Sequence, residues 1–268
     1  MHWHDLPLVN DTIHRGTGQV WAESDRVILG YASHNRRAVS VATATDPLLQ
    51  KWVEHPRNPV YRNPRGALQG LMGTADNYLW REDDTYYLTL RYFRRDPADI
   101  LTGSSALEIC RSKDLAVWET MGHLFEDIRH IEPGEDCSCN NFLPLGNNKH
   151  LLLFFSHKRS AQYYIGPFDR DACRFRIEQH GRMNYGPVKR GSLHAPSAFI
   201  DSRGRCIGMW NILENRPHRG WDEIMSLPRQ LSMNEDGSPE SRHLNPLRID
   251  PIEEIESLRA ESVSIDAT

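Results

Sequence analysis

Apolar and polar positions alternate in short runs along this chain, the period of half-buried strands. No stretch holds the 3.6-residue spacing of a long amphipathic helix. Four runs open on a similar apolar phrase: Gln19-Val20-Trp21-Ala22, Asp76-Asn77-Tyr78-Leu79-Trp80, Asn141-Phe142-Leu143-Pro144-Leu145 and Ala195-Pro196-Ser197-Ala198-Phe199. With Trp21, Trp80, Leu143 and Phe199 taken as equivalent, the phrase returns after 59, 63 and 56 residues. An even period of that size marks a repeat architecture, so it takes precedence over any single motif.

Each unit continues in the same way. A polar or glycine-bearing turn, such as Glu82-Asp83-Asp84 or Gly146-Asn147-Asn148, leads into a second β-rich run, for example Thr85–Leu90 or His150–Phe155. Third strands follow at Arg37–Ala42, Ala106–Cys110 and Ala161–Ile165. After two of them stands a near-duplicate phrase, Thr43-Ala44-Thr45-Asp46-Pro47-Leu48-Leu49-Gln50-Lys51-Trp52 and Arg111-Ser112-Lys113-Asp114-Leu115-Ala116-Val117-Trp118. Four strands in every ~60 residues describe the blades of an all-β propeller with four clear blades. Two unrelated antiparallel sandwiches would not produce an even period. The propeller is expected to span residues 1–245, with 246–268 as a C-terminal strap or tail holding Pro246, Pro251 and the acidic Glu253-Glu254-Ile255-Glu256.

Composition adds mainly exclusions. Across 268 residues, hydrophobic residues at 39% are enough for a sizeable core and argue against disorder. The net charge of −4 offers no basic field for a phosphate backbone, so no nucleic acid partner is expected. No apolar run approaches the ~18 residues of a membrane span, and the start of the chain carries no signal-peptide pattern, so no membrane partner is expected and the compartment is unassigned. The five cysteines lack paired C-x-x-C spacing; neither a disulfide framework, a metal site nor a cofactor is expected.

A propeller gathers the polar residues that open its innermost strands into one central funnel. Unit by unit these are Thr17 and Gln19, then Thr74 and Asp76, then Glu135, Asp136, Ser138 and Asn141, then His194 and Ser197. Asp76, Glu135 and Asp136 are the catalytic candidates, since glycoside cleavage needs one carboxylic acid to protonate the leaving oxygen and a carboxylate opposite it. Thr17, Gln19, Asn141, His194 and Trp21 are the substrate-binding candidates. Strand capping, a solvated acidic loop and inter-blade packing are the structural readings of the same residues, and most tryptophans and tyrosines should fill the spaces between blades.

Several segments resemble glycoside hydrolase family 32, the invertase and fructanase group. Gly220-Trp221, then Met225-Ser226-Leu227-Pro228-Arg229-Gln230-Leu231, resembles that family's G-W-M-S-L-P-R-x-L, with Asp222-Glu223-Ile224 inserted. Tyr163–Asp169 is similar to Y-Y-I-G-x-Y-D, Asn184-Tyr185-Gly186 to D-Y-G, His194–Phe199 to Y-A-P-Q-x-F, and Trp52 through Asn58-Pro59-Val60 to W-x-K-x-P-x-N-P-V. The segments keep the family's order from about Trp3 to Arg259.

The resemblance implies a five-bladed type of propeller, here without its first blade and the trailing β-sandwich, because Trp3–Leu8 resembles the phrase that closes the first blade. It also implies retaining hydrolysis of β-fructofuranosides such as sucrose or fructans, by an aspartate nucleophile, a glutamate acid/base and a stabilising aspartate. Ala75-Asp76-Asn77 occupies the stabiliser's R-D-P motif with only the carboxylate kept. Alignment back from Phe142-Leu143-Pro144-Leu145 places Ser138 on the acid/base glutamate, which leaves Glu135 or Asp136 as substitutes. Asn10-Asp11-Thr12 is the nearest approach to the nucleophile's N-D-P. A sugar-binding propeller without catalysis, and a related hydrolase of other glycosides such as arabinosides, stand as alternatives.

Overall fold

The computed structural model describes residues 18–33, 38–62, 73–93, 107–127, 129–132, 134–183, 191–213, 223–234 and 246–252. Thr17, Asp11 and the segments Trp3–Leu8, Asn184–Gly186 and Gly220-Trp221 lie outside them.

The described residues form four antiparallel sheets in sequence order. The first holds β1 (Gly18–Ala22), β2 (Val27–Ser33), β3 (Ala38–Ala44) and β4 (Val53–Glu54), with β5 (Tyr61–Arg62) also pairing β3. The second is β6 (Gly73–Glu82), β7 (Thr85–Phe93), β8 (Leu107–Ser112) and β9 (Glu119–His123). In the third, β10 (Ser138–Gly146), β11 (Lys149–Ser156) and β12 (Ser160–Gly166) are followed by a small ribbon, β13 (Phe168–Asp169) with β14 (Arg174–Phe175), before β15 (Gln179–Arg182) closes the sheet. The fourth runs β16 (Leu193–Ile200), β17 (Cys206–Leu213), β19 (Arg229–Met233) and β20 (Leu247–Pro251), with β18 (Glu223–Met225) on the far end of β17.

Each sheet is a meander whose first strand lies innermost, and β1, β6, β10 and β16 contact one another in turn around a common axis. This is a propeller arrangement of four blades. Beyond the expected boundary at 245, Leu247–Pro251 pairs along β19, from Met233↔Leu247 to Arg229↔Pro251, as the fourth sheet's outer strand. Pro251, which has no N–H to donate, stands at the last residue of that edge strand.

The near-duplicate phrases close in the same way, although Asp46 stands two residues further from its tryptophan than Asp114 does, and the reason is local. Asp46 accepts the N–H groups of Gln50 and Lys51, and Asp114 those of Ala116 and Val117. Trp52 Nε1 donates to Leu49 O at 2.9 Å and Trp118 Nε1 to Leu115 O at 3.1 Å, with Leu49 and Leu115 both at positive φ. An aspartate satisfies the turn's backbone donors and an indole three residues past a leucine closes it.

Between blades the filling is aromatic. Trp80 stacks on Tyr87 with ring centroids 5.1 Å apart, meets Phe142 of the next blade at 5.2 Å, and Phe168 packs on all three rings. Burying each such ring contributes on the order of 1.5–3 kcal/mol, which explains why tryptophan and tyrosine recur at strand spacing.

Candidate active site

Three inner strands break register at the same point. The ladder slips between Ala75 and Tyr78 in β6, Ser138 and Asn141 in β10, and His194 and Ser197 in β16. The bulged residue is at positive φ each time: Asp76 at 52°, Cys139 at 49° and Ala195 at 42°. A β-bulge re-aims the side chains around it, and its recurrence in three blades directs them toward the axis. Each bulge stands four residues before Trp80, Leu143 and Phe199, the positions equated in the sequence repeat.

The bulges surround a cavity of about 190 Å³ lined by Gln19, Asp76, Asn77, Cys139–Asn141 and Ala195–Ser197. Asp76 is buried and its Oδ2 accepts from Arg91 Nε at 2.9 Å and Nη2 at 2.7 Å. Arg91 Nη1 stands 3.7 Å from Asp136 Oδ2, so one guanidinium serves both carboxylates. Asn140 donates to the carbonyl of Asp76 and accepts from Thr89 Oγ1 at 2.6 Å, which fixes the bulge from the neighbouring blade. Asn77 is buried beside Asp76, with neither its Nδ2 nor its Oδ1 hydrogen-bonded.

Asp136 also accepts from Ser138 Oγ, from the backbone N–H of His157 at 2.9 Å, and faces His157 Nδ1 at 2.7 Å. Glu135, adjacent in sequence, turns the other way. Arg159 Nε donates to its Oε1 at 2.8 Å and Gln162 Nε2 to the same oxygen at 2.7 Å, with Arg159 Nη2 on Oε2. Burial pushes the Glu135 carboxyl upward, but hydrogen bonds from Arg159, Ser156, the Glu132 backbone and Gln162 outweigh it and hold the group below its ordinary value. Beside the axis, burial and the neighbouring Asp76 charge push the Cys139 thiol up to about 12, where it is neither nucleophile nor ligand at neutral pH.

The other sequence candidates fall in three places. Gln19 reaches the central cavity and also lines a second one of about 350 Å³ between β1 and β16, which it shares with Trp21. Trp21 packs against both hydrophobic clusters of the core. Asn141 clamps blades: its Nδ2 donates to Pro196 O at 3.0 Å and its Oδ1 accepts from Ala198 N at 3.0 Å. His194 precedes the lining residue Ala195 and is not itself in the cavity wall; its ring stands against Phe155 at 4.0 Å and His157 at 6.3 Å. Burial lowers its pKa against the opposing pull of Glu223.

Arg91, Asn77, Asn140 and His157 were not singled out from sequence. Counting back from the Glu82–Thr85 turn sets Asp76 opposite Arg91, and that signal was available; the bulge moves the partner to Ala75. All five cysteines are free thiols, and among the described residues no cluster of three or more His, Cys, Asp or Glu is placed to hold a metal.

Four bladed sheets around an acidic axis define a β-propeller with a carboxylate-lined central site. The family model described as glycosyl hydrolases family 32, N-terminal domain, matches residues 1–242, and the chain belongs to that family. It is 27% identical over 283 residues to an insoluble β-fructofuranosidase isoenzyme of Arabidopsis thaliana, covering 94% of this chain and 48% of the relative. It is 25% identical over 239 residues to fructan 1-exohydrolase w2 of Triticum aestivum, covering 82% and 38%. The chain thus spans half or less of the length of these relatives. The Bombyx mori family 32 β-fructofuranosidase, solved as a variant in complex with sucrose, superposes with a TM-score of 0.70 at 19% identity, over 97% of this chain and 55% of that one.

Proposed function

We propose that the central cavity takes the β-fructofuranosyl unit of sucrose or a fructan and that the site hydrolyses its glycosidic bond with retention. The observation carrying this reading is Asp76: a buried carboxylate, held at positive φ on a bulge, set in the cavity wall and oriented by Arg91. Glycoside cleavage passes through an oxocarbenium-like transition state, and a fixed carboxylate beside it stabilises the positive charge as it develops. The unpartnered amide of Asn77 supplies one donor and one acceptor for sugar hydroxyls, since buried polar atoms cost free energy until something pairs them. Asn140 and Asn141 hold the walls rather than the sugar.

A second reading, a propeller that binds sugar without cleaving it, is favoured by Ser138 at the family's acid/base position and by the ion pair that occupies Glu135. Incubation with sucrose, inulin and levan, assayed for released fructose alongside calorimetric binding, separates the two. Release that disappears in Asp76→Asn supports hydrolysis, binding without release supports the second reading, and neither binding nor release overturns both.

A further inference from the structure

Hydrolysis needs a group that gives a proton to the leaving oxygen, and the three carboxylate candidates each stand against an arginine, with Asp76 alone among them in the cavity wall. Asp76 and Asp136 share Arg91, Glu135 is held by Arg159, and the Cys139 thiol stays protonated. His157 differs from all of these. It lies on the turn between β11 and β12, its side chain is 70% exposed, and its Nδ1 is fixed on Asp136 Oδ2 at 2.7 Å. Ser138 Oγ bonds the same oxygen, so the imidazole stands one shared acceptor away from the serine at the acid/base position. When Nδ1–H donates to Asp136, Nε2 is the ring nitrogen left to meet substrate, an arrangement in which a carboxylate sets the tautomer and orientation of a histidine.

We infer that His157, oriented by Asp136, is the proton donor of this site. The inference rests on the hydrolase reading. Nε2–H of the protonated ring gives its proton to the glycosidic oxygen as the bond from the fructosyl carbon to that oxygen breaks, and the electron pair of that bond stays with the departing alcohol. Water then adds through its oxygen to the fructosyl carbon from the face the alcohol has left, which retains the configuration, and returns a proton to Nε2. Among the described residues, the charged and titratable groups around the ring are Asp136 and, behind it, Arg91; His194 on β16 with Glu223 of β18 acting on it; and Lys158, the next residue in the turn.

The test compares sucrose, whose leaving group needs a proton, with p-nitrophenyl β-D-fructofuranoside, whose aryloxide leaves without one. His157→Ala and His157→Gln, each checked for an unchanged melting temperature, are expected to lose about 10²- to 10⁴-fold in kcat on sucrose, the usual contribution of general acid catalysis, and less than about tenfold on the aryl fructoside. Added imidazole should restore part of the sucrose activity of His157→Ala. Equal losses on the two substrates, or none, in variants of an active protein would overturn this inference alone. An unaltered protein inactive on both substrates would overturn the hydrolase reading and this inference with it.

Discussion

Arg91 pairs across the β6–β7 ladder with Ala75, yet its guanidinium lies on Asp76, the next residue along, because the bulge turns that carboxylate toward it. Arg91 is only 3% exposed and is shared by two buried carboxylates, so removing it takes the nearest guanidinium from Asp76 and a second cationic neighbour from Asp136. Arg91→Met is expected to cost about 3–5 kcal/mol, measured as a lower urea midpoint at unchanged m, and Arg91→Lys to recover part of it. An unchanged midpoint for Arg91→Met would show that the shared guanidinium contributes little.

The backbone at Asp76, with φ at 52°, separates chemistry from strain. Asparagine tolerates this conformation and alanine does not, at a cost of roughly 1–2 kcal/mol. Asp76→Asn and Asp76→Ala both give up the ion pair with Arg91, so Asp76→Asn should melt below the unaltered protein but above Asp76→Ala, while losing on the order of 10²-fold or more in fructose release, as loss of one stabilising electrostatic contact typically does. Asp76→Ala should lose both stability and activity.

Asn77 reverses the usual trade. Replacing a buried, unpaired amide by an apolar side chain of similar size removes a desolvation cost of about 1–3 kcal/mol, so Asn77→Leu should fold at least as stably as the original. Its affinity for fructose by calorimetry should fall. A variant that loses stability without losing affinity would assign Asn77 to the fold.

Acid should loosen the third blade in two stages. Burial first, then the Arg159 charge, lowers His180 from 6.5 to about 4, so it folds neutral while the unfolded chain takes up a proton from pH 6.5 downward. Its stabilisation is complete above 6.5 and is lost progressively as pH falls to about 4. Glu135, held below its ordinary 4.5, contributes stability that is complete above that value and lost as pH falls through its lower folded value. The two are linked, since Gln162 accepts from His180 Nε2 at 2.9 Å and donates to Glu135. Melting temperatures recorded from pH 7 to 4 should fall first in the His180 window, and His180→Gln should flatten that part of the curve.

Much of the fold was legible because its signals are local. Strand alternation, polar hairpin turns and the Asp-Leu-Trp phrases each act within a few residues, and a repeat multiplies a weak signal four times. The site was legible only in part. Asp76, Glu135 and Asp136 are visible as acids before inner strands, but adjacent carboxylates 135 and 136 point to different arginines, a division that depends on which neighbouring strand each one meets. Asn141 reads as a polar funnel residue in sequence, whereas two backbone groups of the next blade take up its amide.

The sequence by itself determined the all-β class and the four recurring units, since these follow from side-chain periodicity and turn chemistry along one stretch of chain. Tertiary structure alone decided that Asp76 is bulged to positive φ, that Arg91 joins it to Asp136, and that His157 and Ser138 meet on one carboxylate oxygen. Arg91 reaches 15 and 45 positions along the chain to its two carboxylates and His157 lies 21 from Asp136, and no local preference encodes which pairs come together when blades pack around an axis.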